Sequence, residues 1–62
     1  MTEQNYTQRR KELINQLDFM LSKRLWLCAR ARIRKIADLD FEHKGIDRET
    51  TKEMFNYKRL KQ

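Results

Sequence analysis

Residues 20–29 read Met-Leu-Ser-Lys-Arg-Leu-Trp-Leu-Cys-Ala, and the fold turns on whether a helix runs through them. Upstream, Leu13, Ile14, Leu17, Met20 and Leu21 recur at steps of three and four, which is one stripe of an amphipathic helix. Leu25 and Cys28 extend that stripe, but Arg32 and Lys35 then fall where apolar residues should follow. A second stripe begins beside it: Trp26, Ala29, Ile33, Ile36 and Ala37. It is rotated by roughly a quarter turn on a helix of about 100° per residue.

Two arrangements account for the rotation. In one, a single helix over residues 7–40, straight or kinked, shows different faces to different neighbours. In the other, the helix breaks at Ser22, which serves as N-cap with Leu21 and Trp26 as the hydrophobic staple. A break there places Lys23 and Arg24 in a first helical turn, where the helix dipole disfavours positive charge, and no Gly or Pro marks a stop. We therefore read one long helix, with a three-helix bundle as the alternative.

The next boundary is marked by residue chemistry. Gly45 suits the left-handed conformation that ends a helix, and Asp47 suits the N-cap of the next. Residues 41–46 read as a turn, residues 47–61 as a second helix, and residues 1–6 as a flexible N-terminus. Ile46, Thr50, Met54, Tyr57 and Leu60 share one side of the second helix, with Phe55 off that stripe. Proline is absent and Gly45 is the sole glycine, so the turn clusters that strands require are missing. The fold class is all-α, a helical hairpin of one long and one shorter helix in a single domain.

A chain of 62 residues holds one small domain. Domains of this size bury only about 60% of their unfolded surface, which leaves little room for a walled substrate pocket. The second helix is too short to cover the long one. The stripe Leu13, Ile14, Leu17, Leu21, Leu25 and Cys28 would stay exposed in a monomer and reads as an association surface for a homodimer. The lone Cys28 forms no internal disulfide, which points to a reducing compartment. Residues 1–6 lack the apolar stretch of a signal peptide, so the expected location is cytoplasmic. The longest apolar run, Leu25 to Ala29, is far short of the ~20 residues of a membrane span.

The net charge of +6 is unevenly placed. Residues 1–22 are neutral, residues 23–37 carry +6 with no acid, residues 38–49 carry −3, and residues 50–62 carry +3. The basic segment holds Lys23, Arg24, Arg30, Arg32, Arg34 and Lys35. On a helix, Lys23, Arg30 and Arg34 share a face, with Arg24 and Lys35 at its margin and Arg32 at the edge. Residues one turn apart are separated by about 6 Å along the axis, comparable to successive phosphates of a strand. Arginine's planar fork matches phosphate oxygens. A rival reading pairs these cations with the acidic segment 38–49 of the same or a partner chain, and a third sets them against an anionic membrane surface.

Other constellations are weaker. Asp38, Asp40, Glu42 and His43 follow no metal-ligand spacing, and we assign neither metal nor cofactor. Cys28 and His43 lie more than ~20 Å apart along a helix, so no catalytic pair is assigned. Trp26, Phe41, Phe55 and Tyr57 read as core. No helix-turn-helix pattern is visible, which favours contacts to the phosphate backbone of DNA or RNA over base reading. The sequence thus predicts a small non-enzymatic regulator that self-associates and binds nucleic acid through residues 23–37. The alternative is an inhibitor or adaptor that docks its apolar stripe on a protein partner.

Overall fold

The computed structural model describes residues 2–60. Its elements are α1 (Glu3–Ser22), α2 (Trp26–Lys44), α3 (Arg48–Met54) and a final 3-10 helix (Tyr57–Leu60), and no strand is present among the described residues. The all-α class holds, and the three-helix alternative is the arrangement adopted. The single helix over residues 7–40 is corrected: the chain leaves the helix at Lys23 and re-enters it at Trp26.

The break needs no glycine. Arg24 itself takes a left-handed φ of 58°. The Lys23, Arg24 and Leu25 amides donate to the carbonyls of Phe19, Leu21 and Met20 at 3.1, 3.1 and 2.9 Å, so the last turn of α1 keeps its partners. Ser22 is the final residue of α1 and not an N-cap; its hydroxyl donates to the Phe19 carbonyl at 2.7 Å. Leu25 holds the N-cap position of α2, with no side-chain hydrogen bond. The first turn of α2, Trp26 to Ala29, is uncharged. Lys23 and Arg24 stand outside both helices, so the dipole argument against a break does not apply to them.

The other boundaries also shift. Residues 2–6 are ordered into α1: Thr2 caps the helix by accepting from the Asn5 amide at 3.1 Å, and Tyr6 is buried. Helix α2 runs on to Lys44, which leaves residues 45–47 as the turn in place of 41–46. Gly45 ends α2 at φ 69°, and Asp47 caps α3 by accepting from the Glu49 amide at 3.2 Å, both as the sequence predicts. The second helix stops at Met54 because Asn56 turns left-handed at φ 56°. The 3-10 helix follows, and residue 61 lies outside the described residues.

Helix α2 is the centre of the fold. Ala29, Ile33 and Ile36 pack on Leu13 and Leu17 of α1, and Phe55, Tyr57 and Leu60 close the same core. At 20 and 19 residues, α1 and α2 are each about 30 Å long, so α2 covers the α1 stripe along its length. Leu13 and Leu17 are therefore buried inside the chain, with Ile14 and Leu21 half-buried beside them. Four of the six residues of the stripe that suggested a dimer are thus covered wholly or in part within the chain. Leu25 and Cys28 are exposed at the elbow and take no part in the core. Among the described residues no helix is long and apolar enough to cross a membrane.

Candidate nucleic-acid interface

Four of the five acids of segment 38–49, all but Glu42, have partners away from the basic segment. Asp38 accepts from Arg48 Nε at 2.7 Å, and Asp40 accepts from Arg10 Nε at 3.0 Å. Glu49 lies 3.6 Å from Lys52 Nζ, and Asp47 caps α3. Two of the three acids of α1 are engaged as well, Glu12 with Arg9 at 3.5 Å and Glu3 with His43 and Lys44 at 2.8 Å each. Among the described residues, none of Lys23, Arg24, Arg30, Arg32, Arg34 and Lys35 forms an ion pair. The rival in which the acidic segment of the same chain neutralises the basic one is thereby set aside.

These six cations do not lie on one face. Lys23 and Arg24 project from the elbow, because α2 begins only after them. Arg30 and Arg34, one turn apart, converge on Tyr57 of the 3-10 helix. Arg30 Nη2 donates to the phenol oxygen at 3.3 Å and Arg34 Nη1 at 3.4 Å, both long bonds. The Arg30 guanidinium also stands 4.6 Å from the Tyr57 ring centroid, and Lys52 Nζ stands 5.1 Å from the same centroid. Arg32 lies about 200° round the helix from Arg30, and Lys35 about 60° from Arg32. Positive charge therefore wraps both flanks of α2 and the elbow.

Desolvation works against ionisation of the Tyr57 phenol. The hydrogen bond from Arg30 and the charges of Arg30, Arg34 and Lys52 outweigh it and hold the pKa below the usual tyrosine value. Arg30 Nε and Arg32 Nε are buried without a hydrogen-bond partner, so these two nitrogens are shielded and are not themselves open to a ligand. Sequence periodicity places Arg30 and Arg34 together. It gives no sign of Lys52 or Tyr57, whose approach depends on the turn at Asn56.

Asp40 plays a part that its sequence neighbourhood conceals. It is 1% exposed, and its carboxylate accepts from Tyr6 Oη at 2.6 Å, from Arg10 Nε and Nη2 at 3.0 and 3.3 Å, and from Thr51 Oγ1 at 3.0 Å. Burial pushes its pKa up, but the hydrogen bonds from Arg10, Tyr6 and Thr51 prevail and lower it. Burial and the same carboxylate raise the Tyr6 pKa. The Tyr6 ring stacks on His43 at 4.4 Å and 14°, and His43 meets Glu3. Asp40 and His43 thus serve the α1–α2 contact, while Asp38 pairs away from them; among the described residues no three metal-ligating side chains converge.

The aromatic residues read as core divide. Phe55 and Tyr57 pack on the core and Trp26 is half-buried, but Phe41 is exposed, with the Arg48 guanidinium 4.2 Å from its centroid. On α2 it lies about 80° round the helix from Ile33 and about 140° from Ile36, at the flank of the core face near the C-terminal end of the helix. The chain matches no family model, and comparison with curated proteins and with solved structures likewise gave no match.

Proposed function

We propose that this chain is a small non-enzymatic protein that binds nucleic acid through the phosphate backbone. One observation carries the reading: six cations in fifteen residues have no carboxylate partner among the described residues, while the nearby Asp38, Asp40 and Glu49 pair with other cations. Unpaired arginines held one turn apart offer their donors to phosphate oxygens without first breaking an ion pair. Lys23 and Arg24 at the elbow, Arg30 and Arg34 on one flank, and Arg32 and Lys35 on the other form a positive collar suited to a backbone, DNA or RNA. The reading takes one chain as the binding unit, because Leu13 and Leu17 of the apolar stripe are buried within it. For the same reason, Leu13 and Leu17 offer no docking stripe to a protein partner.

Titration of fluorescent duplex DNA and hairpin RNA at low salt tests the proposal, with affinity expected to fall steeply as salt rises. Arg34→Glu with Lys35→Glu changes two exposed positions and leaves the core intact. Binding by neither nucleic acid at low salt would overturn the reading.

A further inference from the structure

Five large apolar side chains stand exposed among the described residues, and three of them, Phe19 at 59%, Leu25 at 44% and Leu27 at 75%, lie within nine residues around the elbow. Nucleic-acid binding by the cationic collar makes no use of them. Phe19 is three residues from the end of α1 and Leu27 is the second residue of α2, so all three lie within about 5 Å of the tip along the helix axes. They do not share a side. Phe19 is about 200° round α1 from the buried Leu17, and Leu27 about 180° round α2 from the buried Ile36. A helix or strand docking on one side would meet only one of them, whereas a plane across the end meets all three.

The charge around the tip fits one kind of plane. From residue 19 to residue 37 there is no acid, and Lys23 and Arg24 sit at the apex itself. The Lys23 ammonium lies 5.8 Å from the Phe19 ring centroid, so cation and apolar ring are presented together. A second copy of the chain would bring the same charge and be repelled. Half-buried Trp26 adds a residue type suited to the boundary between lipid tails and headgroups.

We propose that the elbow between α1 and α2 inserts into the surface of an anionic lipid bilayer. Phe19, Leu25 and Leu27 enter the headgroup–acyl boundary, and Lys23 and Arg24 contact the headgroup phosphates. The mode is interfacial, with the chain lying on one leaflet and spanning nothing. It shares Lys23 and Arg24 with the nucleic-acid reading but also needs Phe19, Leu25 and Leu27, which that reading does not, so substitutions of the apolar residues test the two separately.

The test is co-sedimentation of the full chain with vesicles of phosphatidylglycerol and phosphatidylcholine, alongside emission from the sole tryptophan, Trp26. Mixed anionic vesicles are expected to bind the chain and shift Trp26 emission to the blue, and pure phosphatidylcholine vesicles to bind it weakly. Phe19→Ser with Leu27→Ser, at exposed positions outside the core, is expected to weaken vesicle binding by about tenfold or more and to leave nucleic-acid titrations unchanged. No association with anionic vesicles at low salt overturns the proposal. So does vesicle binding by the double variant equal to that of the parent, which would reduce the contact to charge alone. Binding to soluble polyglutamate but not to vesicles counts against it too.

Discussion

The Tyr6 hydroxyl donates to the buried Asp40 carboxylate at 2.6 Å, across 34 residues of sequence. With Arg10 and Thr51 on the same carboxylate, α1, α2 and α3 are joined at one side chain. Asp40→Ala leaves the Arg10 guanidinium and two hydroxyls without their partner. Breaking a buried pair in this way costs about 3–5 kcal/mol. A chain this small has a margin of only about 3–5 kcal/mol, so the variant is expected to be largely unfolded in circular dichroism. Tyr6→Phe leaves Arg10 and Thr51 in place and is expected to cost about 1.5–3 kcal/mol, read from the urea midpoint.

Acid is expected to unfold the chain through the same carboxylate. The pKa of Asp40 is lowered in the fold, so its contribution is present above the unfolded value near ~3.9 and is lost as pH falls through the folded value. Glu3 acts in the same direction, its pKa lowered by hydrogen bonds from Lys44 and His43, but it is exposed and screened. Urea midpoints are expected to hold steady from pH 6 to 5 and to drop below pH 4. Glu3→Gln should retain most of that drop; a variant with a flat acid limb would move the effect from Asp40 to the surface.

Arg34 and Arg30 should separate binding from folding. Arg34→Ala removes one exposed cation and is expected to reduce the salt slope of nucleic-acid binding by about one, with stability within ~0.5 kcal/mol of the parent. Arg30→Ala removes a cation that also stacks on Tyr57, so it is expected to lower stability by about 0.5–2 kcal/mol as well. Anisotropy titrations at several salt concentrations, paired with denaturation curves, check both.

Gly45→Ala isolates a backbone effect. Nothing lies within 4 Å of the position a Cβ would take, so no clash arises. The φ of 69° alone disfavours alanine, and the expected loss is about 1 kcal/mol, again read from the urea midpoint.

In solution the chain is expected to sediment as a single 7.7 kDa species, because α2 of the same molecule covers Leu13 and Leu17. Leu17→Ala should cost about 2–5 kcal/mol through the cavity it leaves, where a residue at an interface between chains would instead change the mass. Equilibrium sedimentation of the parent at several concentrations decides between the two.

Much of the fold is legible in the residues. Gly45 and Asp47 mark their boundary because backbone conformation and capping are local chemistry. The quarter-turn offset between the stripes of Leu17 and Ile33 is the signature of a new helix, since each stripe belongs to a separate element facing one core. That signal is masked because the break is made by Arg24, a residue with no preference for left-handed backbone, and held by hydrogen bonds to α1 carbonyls. The second helix misleads for a similar reason at Asn56. For the candidate site, the unpaired state of Arg30 to Lys35 rests on where Asp38 and Asp40 turn, which is tertiary. Asp40 looks like one acid among several, and nothing near it in sequence announces Arg10, Tyr6 and Thr51.

The shared carboxylate also governs how the chain comes into being. An α1–α2 pair without α3 would lack the Thr51 hydroxyl and leave Asp40 short of a donor. Helix α3 is too short, at seven residues, to persist by itself. Folding would therefore stay incomplete until Thr51 is available to the α1–α2 pair. Assembly and unfolding are each a single event, with slow-exchanging amides expected to open together and no stable fragment left for a protease to spare.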